Sequence, residues 1–241
     1  MKKEKILLIL CIMSILLLIV SCSGKQTQAQ VQQPQEEAKV VAPPIDEVIP
    51  APELSAEVKE LLTNKDKITS YSYKFGELNQ RNTYHILRDK VKIELFEKPG
   101  KKAEEQYDTV YLDNTKKTAF GTCEKTGCSQ SEKNKYRAIS FEQYQLKSTP
   151  LTILEDVQSA EITKQGKLVN NRDTILVKMN NSKGDQIDAF LDKFYAFPHE
   201  AKITGADKKE TLLQYFEVTI NSLKESDMVL PKSYQLINTT S

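Results

Sequence analysis

Residues 71–95 read YSYKFGELNQRNTYHILRDKVKIEL, and this stretch decides the fold class. Tyr71, Tyr73 and Phe75 alternate with Ser72 and Lys74, the period of two that marks a half-buried strand. Tyr84, Ile86 and Arg88 carry a second strand. Asp89-Lys90 turns the chain into a third, where Val91, Ile93 and Leu95 oppose Lys92 and Glu94. No helical crossover fits between these strands, so neighbours run antiparallel. Pro99-Gly100 is the next turn. Tyr107–Leu112 and Lys117–Thr122 then pair around Asp113-Asn114 and extend the meander.

Upstream, Leu54, Val58, Leu61 and Leu62 recur at helical spacing behind Ser55, a good N-cap, and Asn64–Asp66 ends that helix. Downstream the pattern turns helical again. Ser140–Gln143 fits a capping box ahead of Phe141 and Tyr144. Thr149-Pro150 is a cap followed by proline at the first helical position, with Leu151, Leu154 and Val157 on one face. Strands resume over Glu161–Leu168, Thr174–Met179, Gln186–Phe194, Ala201–Thr204 and Leu212–Ile220, the last with Phe216, Val218 and Ile220 on one side. The expected class is α+β: a curved antiparallel sheet with an N-terminal helix and a mid-chain helical insert. The few short helices leave much of the apolar face uncovered. The sheet must therefore curl on itself or enclose a cavity.

The N-terminus sets the location. Lys2, Lys3 and Lys5 precede Ile6–Val20, an uncharged run of 15 residues, the layout of a secretory signal. At about 1.5 Å per residue such a run spans ~22 Å, short of a ~30 Å hydrocarbon core. Ile19-Val20-Ser21-Cys22 resembles a bacterial-type lipobox, which implies a diacylglyceryl group on Cys22 and cleavage just before it. An uncleaved anchor is the alternative. Residues 1–21 are expected to be the signal and residues 22–52 the lipidated cysteine plus a linker. Residues 53–237 form one α+β domain, and residues 238–241 a tail. The linker has six Gln, five Pro and no aromatic, so it buries too little apolar surface to offset its ordering entropy.

The 241 residues carry 34 basic and 33 acidic side chains. With a formal net charge of +1, nothing suggests a nucleic-acid partner held by counterion release. Of four cysteines, Cys11 leaves with the signal and Cys22 takes lipid. Cys123 and Cys128 remain, with four residues between them, Gly127 included. A disulfide across a hairpin end is the leading reading, as expected outside the cytoplasm. A metal centre would need further ligands, and the two histidines, His85 and His199, lack ligand spacing. No Gly-x-Ser-x-Gly elbow, phosphate-cradling glycine loop or His-Glu-x-x-His is present. No cofactor and no enzymatic activity are expected.

The order helix, meander, helical insert, meander resembles the lipoprotein-sorting and outer-membrane lipoprotein carrier superfamily. Three segments carry the resemblance: Ser148-Thr149-Pro150-Leu151, the strand and turn over Asp185–Pro198, and Tyr215–Leu230 with Asn221 and Leu230-Pro231. The family commonly has a Trp before the turn; here Phe190 or Phe194 stands in that region. The resemblance implies a half-open barrel with helices across its mouth and an apolar cavity for a lipid or lipidated chain. The cavity-wall candidates are Tyr71, Tyr73, Phe75, Ile86, Ile93, Val177, Phe216 and Val218, for which plain core packing is the other reading. Two functions follow. One is an extracytoplasmic, monomeric lipoprotein, tethered to the cell membrane through Cys22, that binds lipid or lipoprotein cargo. The other is an envelope-surface interaction or scaffold module without a small ligand.

Overall fold

The computed structural model describes residues 54–102, 105–125 and 127–237. The expectations for the signal, for Cys22, for the linker and for residues 238–241 lie outside the described residues. Helix α1 (Ala56–Thr63) opens the domain. The Ser55 hydroxyl accepts from the Val58 N–H at 3.3 Å, and Val58 and Leu62 turn into the core. The meander follows as β1 (Ser70–Glu77), β2 (Gln80–Leu87), β3 (Lys90–Glu94), β4 (Thr109–Asp113) and β5 (Thr118–Thr122). β6 (Lys135–Ile139) extends it, a strand that the sequence pattern did not announce.

The helical insert is smaller than expected. It consists of α2 (Phe141–Tyr144), capped by Ser140, and one 3-10 turn over Pro150–Leu154. Val157 does not continue that turn. It opens β7 (Val157–Val169), where it pairs with Asn181. β8 (Arg172–Asn181), β9 (Gln186–Asp192) and β10 (Pro198–Thr204) follow. The turn between β7 and β8 is Asn170-Asn171, at φ 52° and 60°, two left-handed residues in succession as a two-residue hairpin of native twist requires.

The expected strand 212–220 is in fact two. β11 (Glu210–Gln214) pairs with β10, and β12 (Phe216–Ile220) pairs with β1 in the other sheet. Tyr215 is the joint. It is buried, and its N–H donates to the His199 carbonyl at 3.0 Å. The eight-stranded sheet has the order β12-β1-β2-β3-β4-β5-β6-β13, with β13 (Gln235–Leu236) as its last strand, and the five-stranded sheet has the order β11-β10-β9-β8-β7. The pairing is antiparallel except for β13 on β6. Joined through Tyr215, the two sheets make an open wrap with β7 and β13 at its free ends, so the curved, unclosed α+β sheet is the observed class. One core cluster fills the space between them, with Val58 and Leu62 of α1, Val91, Ile93, Val110 and Leu112 from one sheet, and Val177, Ala189, Leu191 and Ala201 from the other.

Candidate functional site

Most of the cavity-wall candidates pack into the core between the sheets. Tyr71, Tyr73, Ile86, Ile93 and Val177 are buried in the core, and Phe75 and Val218 pack half-buried against it. Tyr73 stacks on Tyr84 at 5.1 Å and meets Tyr215 edge-on at 5.3 Å. Tyr71 meets Phe197 at 5.6 Å, and Phe75 meets Tyr215 at 5.5 Å. Such offset and edge-to-face pairs add to the area they bury. Burial raises the hydroxyl pKa of Tyr71, Tyr73 and Tyr215, so all three stay neutral.

Phe216 is placed elsewhere. Glu217 takes φ 48° and the register of β12 on β1 shifts, setting Phe216 opposite Lys74. That row faces away from Tyr73. The Arg81 guanidinium lies 3.4 Å over the Phe216 ring, and Lys74 reaches Glu217 at 2.6 Å. The left-handed residue therefore rotates Phe216 out of the face that Val218 and Ile220 share.

The outer face of the eight-stranded sheet carries clefts. After β12 the chain turns at Asn221 (φ 56°), crosses the back of β2, β3 and β4, and reaches the far edge as β13. The Asn221 side chain ties the start of this strap. Its Oδ1 accepts from Thr69 N–H at 2.7 Å and Ser70 N–H at 3.3 Å, and its Nδ2 donates to the Lys67 carbonyl at 2.9 Å. Glu225 accepts from Lys90 at 2.7 Å, and Met228 is buried beneath the strap.

Beside the strap an apolar cleft of about 290 Å³ is lined by Tyr111, Leu112, Phe120, Met228, Val229 and Leu230, with Lys90, Asp113, Lys116 and Thr118 at its rim. A polar cleft of about 500 Å³ adjoins it, sharing Tyr111 and Val229. There His85 Nε2 lies 3.1 Å from Glu94 Oε1, and this contact holds the Glu94 carboxyl below its usual range. Lys92 pairs with Glu124 at 3.0 Å, and the Tyr111 hydroxyl donates to Glu124 at 2.9 Å. These groups pair with one another, and His85 Nδ1 is left buried without a hydrogen-bond partner. They form no nucleophile and base pair.

The two remaining cysteines form the expected disulfide, with Cα atoms 5.8 Å apart. Under it lies Asp108, 5% exposed, which no sequence pattern singled out. Its Oδ1 accepts from Glu124 N–H at 2.9 Å and from the Thr109 hydroxyl at 3.0 Å. Its Oδ2 accepts from Lys125 N–H at 3.2 Å and lies 3.4 Å from each sulfur. A signal was available: Asp108 is the one acid within the apolar run Tyr107–Leu112. His199 is 1% exposed with neither ring nitrogen hydrogen-bonded, and Asp192 lies 3.9 Å away. Burial pushes its pKa down to about 4.

No family model matches the chain, and no curated protein matches it. Among solved structures, similarity extends to MucB, at 10% identity and a TM-score of 0.44 over 77% of this chain and 67% of that one. It extends also to an uncharacterized conserved protein from Thermus thermophilus, at 12% identity and a TM-score of 0.39 over 74% and 97%. A LolA superfamily protein from Nitrosomonas europaea aligns at 9% identity and a TM-score of 0.28 over 71% and 96%.

Proposed function

We propose that this chain is a lipid-anchored, extracytoplasmic interaction module, not an enzyme, which docks a polypeptide partner on the outer face of its eight-stranded sheet. One observation carries this reading. Between the sheets Tyr71, Tyr73, Phe75, Tyr84, Phe197 and Tyr215 pack on one another, while an open apolar cleft lies on the outer face, against the strap. That outer face already holds a segment of the same chain, the strap with its 3-10 turn at Glu225–Met228, so a polypeptide can lie against it. A partner would seat an aliphatic or aromatic side chain against Phe120, Tyr111 and Val229. Location rests on the signal pattern, the Cys22 box and a disulfide of the kind that persists outside the cytoplasm.

A second reading has its own observation: at about 290 Å³ the apolar cleft sits near the lower limit for a small-molecule site, so it would accept the end of an acyl chain. Native mass spectrometry of the exported Cys22→Ala chain separates the two. A bare protein mass is expected. Co-purified species of several hundred daltons, lost on organic extraction, would overturn the interaction reading in favour of lipid. The anchor is tested by palmitate labelling, expected for wild type and lost in Cys22→Ala; equal labelling of both would refute it.

A further inference from the structure

The corner formed by Asp108, Cys123 and Cys128 holds a carboxylate whose placement the disulfide does not explain. Asp108 is 5% exposed, and Oδ1 is engaged by Glu124 N–H and the Thr109 hydroxyl. Oδ2 accepts one N–H, from Lys125, and otherwise faces two sulfurs at 3.4 Å each. A disulfide sulfur carries no proton. The buried oxygen therefore meets two groups that give it no hydrogen bond. Reduction changes their chemistry, because each thiol can donate to a carboxylate and each thiolate can bind a cation. One ligand atom from each of the three residues lies within 4.8 Å of the others. Cys128 is only half-buried, which opens one sulfur to a reductant, and a Cβ at the neighbouring Gly127 would meet no atom within 4 Å.

The geometry points to a redox-gated metal site: once the Cys123–Cys128 bond is reduced, both thiolates and Asp108 bind a thiophilic divalent cation such as Zn²⁺. The donor set of two sulfurs and one oxygen suits such an ion and leaves a fourth position for water. This site is independent of the docking surface. A dithiol reductant would open it by exchange. Two S–H bonds of the reductant break, its own disulfide forms, and Cys123 and Cys128 each gain a proton. Metal binding then releases both protons to solvent.

The test uses Co²⁺ as the probe on the purified full chain, carrying Cys11→Ser and Cys22→Ser so that only the two domain cysteines remain. A phosphine serves as reductant. With one water it converts the disulfide to two thiols and leaves as its oxide, adding no competing sulfur. The reduced chain is expected to bind one Co²⁺ with a near-ultraviolet thiolate charge-transfer band, and the oxidised chain to show none. Cys123→Ser and Cys128→Ser are each expected to abolish or halve the band. Asp108→Asn should keep the band but weaken binding at least ten-fold. Absence of the band in the reduced chain, its survival unchanged in either serine variant, or equal affinity in Asp108→Asn would overturn the site. The comparison of oxidised with reduced chain needs no substitution within the folded domain.

Discussion

His199 is one residue through which pH acts on stability. Its folded pKa is pushed down to about 4 by burial, below the ordinary value of 6.5, with Asp192 opposing and Arg172 adding to the shift. Between those values the unfolded chain binds the extra proton, so stability rises with pH there. The contribution is intact above pH 6.5 and is lost as pH falls toward 4. At 1.36 kcal/mol per unit its full extent is about 3 kcal/mol. Urea midpoints measured from pH 7 to 4 should drop steeply for wild type and less for His199→Gln; parallel curves would remove His199 as the cause. Gly121 makes a separate prediction. A Cβ there would sit 2.7 Å from the Tyr107 ring, whose hydroxyl lies 2.8 Å from that of Tyr144. Gly121→Val should cost about 1–3 kcal/mol in chemical denaturation, the usual penalty for overpacking. Neither effect was legible in the sequence. A histidine behind a proline reads as a turn residue, whereas His199 lies in β10 beside a register shift, and a glycine in a strand does not announce the ring lying over it.

The strap and the disulfide loop are the elements that the sequence described least well. Residues 71–95 declared their strands through strict alternation, and β1, β2 and β3 appear where that pattern put them. The strap has no period, because its side chains meet a sheet below and water above within a few residues. Its anchor, Asn221, was visible only as a motif residue of the resemblance. Asn221→Ala removes acceptors from Thr69 and Ser70 and places a non-Asn residue at φ 56°. A loss of about 1–2 kcal/mol is expected, with amides of β13 exchanging faster than those of β1. Stability unchanged within 0.3 kcal/mol or so would mean the strap is held elsewhere. The disulfide closes a loop so short that the chain-entropy model gives about 2 kcal/mol, and the paired Cys123→Ser, Cys128→Ser chain should lose about that much in urea.

On the scale of the whole molecule, Tyr215 makes two sheets into one structure. The sequence showed a single apolar strand over 212–220, and periodicity alone gave no reason to break it. The break comes from geometry: the chain must leave β10 and reach β1, and the buried ring of Tyr215 wedges between Tyr73 and Phe75 at the crossing. The sheets should therefore unfold in one transition. Tyr215→Ala should cost about 3–5 kcal/mol, as for other large aromatic truncations, and lower amide protection in β9 and β2 alike. Protection retained in one sheet while the other exchanges freely would show two independent units.

The pairing of β1 with β12 sets a timetable as well as a shape. Residues 70–77 emerge early from a ribosome, but their partner spans residues 216–220, and the strand that finishes the far edge spans residues 235–236. Contacts so distant in sequence close slowly. A nascent chain of this protein thus carries its Tyr-rich first strand unpaired on one side until nearly all of it has been made. On the proposed extracytoplasmic reading, such a chain would stay threadable through an export channel and lock only when residues 216–236 arrive on the far side.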